Sequence, residues 1–345
     1  MTVSVIISTY NQPQALELVI WGYSVQTQRD FELLIADDGS GQETRDRIER
    51  LRDETGLAIV HVWQEDLGFR KCRILNRALS RAEGSYAVIS DGDCIPRPDF
   101  LATHVRLAGP GRFLSGGRVC VTREVSDSFT PRDVVKGSIF DPAWLRARRA
   151  MPRARDILKL RSASYAATLD RFTPTRATWN GHNSSAWRSD LLTVNGFDER
   201  MGYGGEDREL GERLRNHGLR PVQVRHRAVC VHLDHDRDYL QEEARGNNER
   251  IRRGSRGVPK ALSRFDGWVN GSDWTEFGIR KGARCNDGAT KHKREGLNAR
   301  GVSNEPITEG LDVLVHATLD PAFRGPDTFL KPFVVAGLTR SLWMP

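Results

Sequence analysis

Two aspartates separated by one glycine, Asp91-Gly92-Asp93, follow directly on a strongly apolar run at 86–90. Carboxylates at i and i+2 just beyond a buried strand can both reach one divalent cation, and hard oxygens suit Mg²⁺ or Mn²⁺. A cation there would neutralise a diphosphate and help it leave. Asp-Gly-Asp is also a common solvated turn, so its place at a strand end carries more weight than its composition.

Other clusters invite the same question. Asp37-Asp38-Gly39-Ser40 closes a second apolar run, where a carboxylate can accept hydrogen bonds from a uracil or ribose edge. The same residues suit a helix N-cap followed by a turn. Phe69-Arg70-Lys71-Cys72-Arg73 sets cations at a helix start, where they can meet phosphates or sugar hydroxyls. Cations oppose the helix dipole at that end, which favours a functional reason over a solvated surface. In Gly202-Tyr203-Gly204-Gly205-Glu206-Asp207, glycines let backbone approach a ligand closely, and the two acids open a helix. A general base for a hydroxyl and an ordinary acidic first turn stand level here. Cys230-Val231-His232-Leu233-Asp234-His235 lacks zinc-helix spacing, yet one histidine could complete a cation's shell with the Asp-Gly-Asp carboxylates. A structural or surface histidine is the commoner case.

The elements that must position these residues follow from periodicity. Apolar β-rich runs at 3–8, 32–36, 58–62 and 86–90 alternate with helical patterns: one opened by Pro13 and running through Leu16, Ile20 and Tyr23, one carrying Ile48 and Leu51, and one over 73–82. This order predicts a largely parallel sheet with helices on both faces. Ligands of such sheets bind beyond the carboxyl ends of the strands, where Ser8-Thr9-Tyr10-Asn11, Asp37-Asp38-Gly39-Ser40 and Asp91-Gly92-Asp93 all fall. Residues 113–121 read as a strand interrupted by Gly116-Gly117, and 144–172 as an arginine-rich helix. The last seventy residues are Gly- and charge-rich from 278 to 301 and carry no repeat.

Composition bounds the class. With 345 residues, 38% of them apolar, the chain can bury a sizeable core, and 28% charged residues exclude a membrane bundle. No apolar run approaches the roughly 20 residues that span a bilayer, and the first residues do not read as a signal peptide. The scattered, odd-numbered cysteines without a CxxC pair argue against a disulfide framework or structural zinc and fit a reducing cytoplasm. A net charge of +7 suits phosphorylated substrates, anionic lipid or nucleic acid without choosing among them.

Together these motifs resemble the family-2 glycosyltransferases of the GT-A fold. Val5-Ile6-Ile7-Ser8-Thr9-Tyr10-Asn11 and Ala36-Asp37-Asp38-Gly39-Ser40 are similar to that family's donor-binding start, and Asp91-Gly92-Asp93 with Ile95-Pro96 to its DXD segment. Phe69-Arg70-Lys71-Cys72-Arg73-Ile74-Leu75-Asn76, Val194-Asn195-Gly196-Phe197-Asp198 and Gly204-Gly205-Glu206-Asp207 are similar to segments of β-1,4-galactosyltransferases. Bacterial chondroitin-polymerase-like capsule enzymes share that second module. The likeness runs in order over residues 3–235.

The resemblance implies an α/β fold of GT-A type, with a Rossmann-like, mostly parallel central sheet, helices on both faces and an acceptor-binding half. Residues 1–120 become the nucleotide-sugar half, 121–240 the acceptor and catalytic half of the same domain, and 241–345 a helical or irregular, partly disordered extension. The implied reaction is inverting, Mn²⁺- or Mg²⁺-dependent transfer of a hexosyl or N-acetylhexosaminyl group. It runs from a UDP-sugar to a hydroxyl of a glycan or lipid-linked acceptor, in bacterial surface polysaccharide synthesis. Asp207 becomes the catalytic base and Glu206 its acceptor-positioning neighbour. Thr9, Tyr10, Asp38, Arg70, Lys71, Asp91, Gly92 and Asp93 fall on the donor, Asp38 at its base and Asp91 near its ribose. Tyr203, Gly204, Gly205 and Trp179 fall on the acceptor. Asp93, Asp91 and His235 hold the metal, because such enzymes carry a metal-binding histidine five residues after a cysteine and Cys230 leads to His235. His232 remains the alternative. The chain departs from those relatives at Tyr203, where tryptophan is usual, and residues 276–345 match no signature.

A nucleotidyltransferase would also place acids on such a sheet, but it leaves Gly-Gly-Glu-Asp without a role. A non-catalytic glycan- or nucleic-acid-binding module is suggested by Arg146, Arg148, Arg149, Arg153, Arg155, Lys159 and Arg161. No aromatics interleave with them for base stacking, so no nucleic acid is expected. The basic stretch instead suits peripheral contact with an anionic membrane at the inner face of the cell membrane.

Overall fold

The computed structural model describes residues 1–148, 154–160, 163–235, 242–254 and 257. The chain divides into two compact units, Met1–Ile279 and Arg280–Pro345, and every described residue belongs to the first. The sequence-based expectations for 276–345, and for Arg149, Arg153 and Arg161, lie outside the described residues.

The expected alternation opens the fold: β1 (Val3–Thr9), α1 (Pro13–Ser24), β2 (Phe31–Asp37), α2 (Gln42–Thr55), β3 (Ile59–Trp63), α3 (Lys71–Arg81) and β4 (Tyr86–Asp91). Pro13 sits in the first turn of α1, and α2 stops at Gly56, which takes the left-handed conformation at φ 65 and donates its N–H to the Arg52 carbonyl. Next come β5 (Cys94–Pro96), α4 (Phe100–Leu107), β6 (Arg112–Ser115) and β7 (Gly117–Cys120). The segment read as one helix over 144–172 is instead α7 (Pro142–Ala147), α8 (Ala154–Leu160) and α9 (Ala163–Phe172), preceded by α5 (Arg123–Asp127) and α6 (Pro131–Val135). The chain then forms β8 (Ser184–Trp187), α10 (Arg188–Thr193), α11 (Glu206–Asn216), β9 (Arg220–Gln223), β10 (Val229–His232) and α12 (Glu242–Gly254).

The main sheet has the order β3-β2-β1-β4-β8-β6-β9. β3, β2, β1 and β4 are parallel; β8 runs antiparallel to both β4 and β6. Strand β1 is buried along nearly its whole length, because helices cover both faces of a parallel sheet. Its side chains alternate between two cores. Val3, Val5 and Ile7 pack with Leu16, Ile20 and Tyr23 of α1 and Ile48 of α2. Ile6 packs on the other face with Ile74, Leu75 and Leu79 of α3 and Leu210 and Leu214 of α11. The fold class is therefore α/β, with a largely parallel sheet between helix layers.

Register explains where the polar clusters go. Thr9 pairs with Asp37 and Ser8 with Asp91, so the ends of β1, β2 and β4 lie side by side. The strand expected over 113–121 splits at Gly116 into β6 and β7, which join different sheets. A Cβ on Gly116 would lie 2.0 Å from Asn183 Oδ1, so only glycine lets the chain cross there. The second sheet has the order β5-β10-β7, and its register sets His232 against Cys94. That pairing brings residue 232 beside the acid motif. Among the described residues, no helix is long and apolar enough to cross a membrane.

Candidate active site

Thr9, Tyr10 and Asp38, expected at a donor, lie along the strand ends. Asp38 is buried, accepting from the Arg70 amide at 2.7 Å through Oδ2 and from Gln64 Nε2 through Oδ1. Burial raises its proton affinity, and these hydrogen bonds pull it back. Tyr10 is exposed, and its hydroxyl donates to Asp66 Oδ2 at 2.9 Å. Thr9 Oγ1 is buried without a partner among the described residues. Gly92 lies against it: a Cβ there would meet the Ser8 carbonyl at 3.0 Å and Thr9 Oγ1 at 3.1 Å. The glycine thus lets the Asp-Gly-Asp turn fold onto β1, and its N–H donates to the Ser8 carbonyl at 2.7 Å.

Of the cations at the start of α3, Arg73 is exposed and Arg70 turns its guanidinium to the Glu65 carbonyl. Lys71 points inward and donates to Asp91 Oδ1 at 2.8 Å; Ser8 Oγ donates to the same oxygen at 2.7 Å. Burial works against the Lys71 charge, but Asp91, Asp207 and Glu206 raise its affinity for the proton well above the usual. Burial likewise opposes the Asp91 charge, and Lys71 outweighs it, holding that carboxyl below its ordinary range.

Asp207 arrives from the other half of the chain, in the first turn of α11. Gly204 and Gly205 precede it with φ of 104 and 95, a region other residues rarely occupy. Glu206 is buried and turns back to accept from the Gly204 amide at 2.8 Å. Asp207 Oδ1 is buried and has no partner among the described residues. Burial pushes the carboxyl up to about 7; Lys71 and the Gly181 amide pull it down, while Glu206 and Asp91 push it further up. Its other oxygen presses on Gly181, where a Cβ would lie 2.7 Å away.

Asp93 is buried between two histidines. His235 Nε2 lies 2.8 Å and His232 Nε2 3.4 Å from Asp93 Oδ2, and Cys94 Sγ donates to Oδ1 at 3.1 Å. Asp93, Cys94 and His232 can converge their ligand atoms within 4.8 Å of one another. Burial opposes the Asp93 charge, but the histidines and Cys94 hold this carboxyl far below its ordinary range. Burial lowers the proton affinity of His232 against the pull of Asp93, and the neutral imidazole is the form that binds metals.

The structure brings together Asp93, His232 and His235, and separately Lys71, Asp91, Glu206 and Asp207. Asp91, expected among the metal ligands, is in contact with Lys71 and Ser8. Trp179 was expected on the acceptor side. It is 1% exposed, packed between Phe113 and Gly211. Tyr203 is partly exposed and rests edge-on against Phe69, with centroids 5.7 Å apart. Sequence reasoning missed His182 and Arg118. Burial and Arg118 push the His182 ring down to about 3, against the pull of Asp91 and Asp93, so it stays neutral beside the acid motif. Its backbone carbonyl accepts from Ser90 Oγ at 3.2 Å, tying the 180–183 turn to the end of β4. The sequence signal was only a Gly-His step inside a polar stretch.

Two segments of the chain match known families. Residues 4–161 match Glycosyl transferase family 2, and residues 166–236 match the N-terminal domain of galactosyltransferase. The chain is 29% identical over 253 residues to validoxylamine A glucosyltransferase of Streptomyces hygroscopicus subsp. jinggangensis, covering 68% of this chain and 56% of that one. It is 26% identical over 235 residues to chondroitin synthase of Escherichia coli, covering 62% of this chain and 32% of that one. Both relatives thus extend well beyond what this chain spans. Among solved structures, a mannosyltransferase from Pyrobaculum calidifontis in complex with GDP-Man and Mn²⁺ is similar at 22% identity and a TM-score of 0.47, covering 91% of this chain and 79% of that one. A segment matching Glycosyl transferase family 2 is thus followed directly by one matching the N-terminal domain of galactosyltransferase.

Proposed function

We propose that the chain transfers a hexosyl or N-acetylhexosaminyl group, with inversion, from a nucleotide sugar to an acceptor hydroxyl. A UDP-sugar is the favoured donor. The observation that carries this reading is the Asp207 carboxyl: its proton affinity is raised to about 7, one oxygen is unpartnered, and Lys71 acts on it from the donor side. A base so tuned can take a proton near neutral pH and still release it. The acceptor oxygen attacks the anomeric carbon as Asp207 takes its proton. The bond to the diphosphate breaks on the opposite face, with the electron pair leaving on the diphosphate oxygen. Lys71 stabilises that developing charge in a site where fixed charges act strongly. Glu206 shapes the Gly204 turn, and the Tyr203 ring offers the acceptor an apolar face.

Asp93 and His232, whose ligand atoms converge with that of Cys94, could hold a divalent cation, with His235 2.8 Å from Asp93 as the further imidazole. One carboxylate with two imidazoles suits Mn²⁺ better than Mg²⁺, which prefers all-oxygen shells. When bound, the ion would neutralise the diphosphate. Asp207→Asn, close in shape and unable to accept the proton, should abolish transfer while leaving UDP affinity nearly intact. Normal turnover in that variant would overturn the assignment.

The chondroitin synthase relative supports a glycan acceptor in bacterial surface polysaccharide synthesis. The validoxylamine A glucosyltransferase relative supports a second reading, an acceptor of validoxylamine type. A panel of nucleotide sugars crossed with both acceptor types, read by nucleotide release, separates them. A lipid-linked acceptor and contact with an anionic membrane are supported by the outer face of α9. There Tyr165 and Phe172 are 68% and 75% exposed, with Arg171 over the Phe172 ring. Vesicle co-sedimentation that ignores lipid charge and salt would count against that contact.

A further inference from the structure

Helix α12 lies beyond both matched segments, which end at residue 236, yet it is bound to the loop that delivers Asp207. The contact centres on Asn248. Its side chain is 1% exposed, and its carboxamide spends itself entirely on one stretch of backbone. Oδ1 accepts from the Gly202 amide at 3.1 Å. Nδ2 donates to the carbonyls of Gly202 at 2.8 Å, Gly204 at 2.9 Å and Tyr203 at 3.3 Å. The loop therefore curls around a single amide group.

Two further contacts hold the helix there. Arg252 pairs with Glu212 of α11, and its Cδ would meet a Cβ on Gly205 at 3.4 Å. Ala244 leaves only 3.0 Å for a Cβ on Gly202. The loop needs such support, because two consecutive glycines at positive φ make its free backbone unusually pliant. It also carries the partly exposed Tyr203 ring and ends at Glu206-Asp207.

We propose that Asn248 is a positioning residue: it fixes the Gly202–Gly205 loop so that the Asp207 carboxylate and the Tyr203 ring face the acceptor. The catalytic part of this rests on the transfer reading above. A residue outside both matched segments thus sets the geometry of the residues inside the second. The amide chemistry matters as much as the space it fills. In Asn248→Asp a carboxylate would face three carbonyl oxygens, whereas Asn248→Ala only releases them.

The test uses the full chain with Asn248→Ala and Asn248→Asp, and Arg250→Ala as an exposed control on the same helix. Hydrogen exchange should quicken by about tenfold or more at the amides of 202–206, with β1 and β2 unchanged. With the donor found by the nucleotide-sugar panel, kcat should fall about 10- to 100-fold, more for Asp than for Ala, with UDP affinity within about twofold of the parent. Unchanged exchange in the loop overturns the clamp. Faster exchange with unchanged kcat overturns the positioning role. If the parent protein transfers from no donor, the transfer reading fails and takes the catalytic part with it, while exchange still decides the clamp. Should Asn248→Ala not fold, Asn248→Gln keeps the amide but displaces it by one methylene and gives the same two readouts.

Discussion

Lys71 Nζ stands 2.8 Å from Asp91 Oδ1, and this one ion pair ties the start of α3 to the acid motif at the end of β4. The lysine's charge also lowers the proton affinity of Asp207. Lys71→Met should therefore raise the Asp207 titration, moving the acidic limb of kcat/KM to higher pH. It should also lower kcat/KM at neutral pH by about 100-fold through lost charge stabilisation. A pH-rate profile with an unmoved limb would show that Lys71 does not act on the base.

In the parent protein, kcat/KM should climb as pH rises through about 7, because Asp207 as the proposed base must lose its proton to act. The same titration has a stability consequence of definite sign. The folded carboxyl binds its proton up to about 7, whereas its ordinary value is 3.8, so the folded state holds more protons between those limits. Stability from this group is full below the lower value and is lost as pH rises through the upper one. Asp207→Asn carries no such loss. Its melting temperature relative to the parent should therefore be higher at pH 8 than at pH 5, as scanning fluorimetry can check.

Chelation should remove transfer, and Mn²⁺ should restore it better than Mg²⁺. Calorimetry of Mn²⁺ binding gives a readout without turnover. Asp93→Ala and His235→Ala should each weaken Mn²⁺ by about tenfold or more, as losses at metal sites do. Equal affinity in all variants would place the ion elsewhere.

Gly181→Ala tests the packing behind the base. The new methyl would lie 2.7 Å from Asp207 Oδ2, so the carboxylate must move. A displacement of about 1 Å can cost about 100-fold in kcat. UDP affinity should change little. An unchanged kcat would mean that the site tolerates the shift, and that Asp207 needs no fixed position.

The first four strands and their polar ends were legible because parallel strands buried on both faces are continuous apolar runs. Asp38, Asp91 and Asp93 could be placed from that alone. Strand β8 could not. Its Ser184 and Ser185 look like loop residues, yet both are fully buried, and Ser185 Oγ bonds to the Tyr86 hydroxyl at 2.8 Å and His104 Nδ1 at 2.7 Å. Burial of such groups is decided by partners some eighty to a hundred positions away, which no local pattern records. His182 was hidden by the same stretch. Trp179 shows the opposite difficulty: a tryptophan that could face a sugar and one that fills a core have the same local appearance.

Strand β8 also bears on how such a protein can be recombined. It comes from the second matched segment, yet it sits between β4 and β6 of the first. The interval 162–165 that separates the two matches in sequence is thus no seam in space. A chimera joined there, made to graft one relative's acceptor half onto another's donor half, would have to rebuild the contacts of Ser185 with Tyr86 and His104 inside the sheet. The first segment alone would leave β4 as a bare edge, a template for aggregation. Any exchange of specificity between relatives must be made at loops such as 202–205, because the sheet is inherited whole.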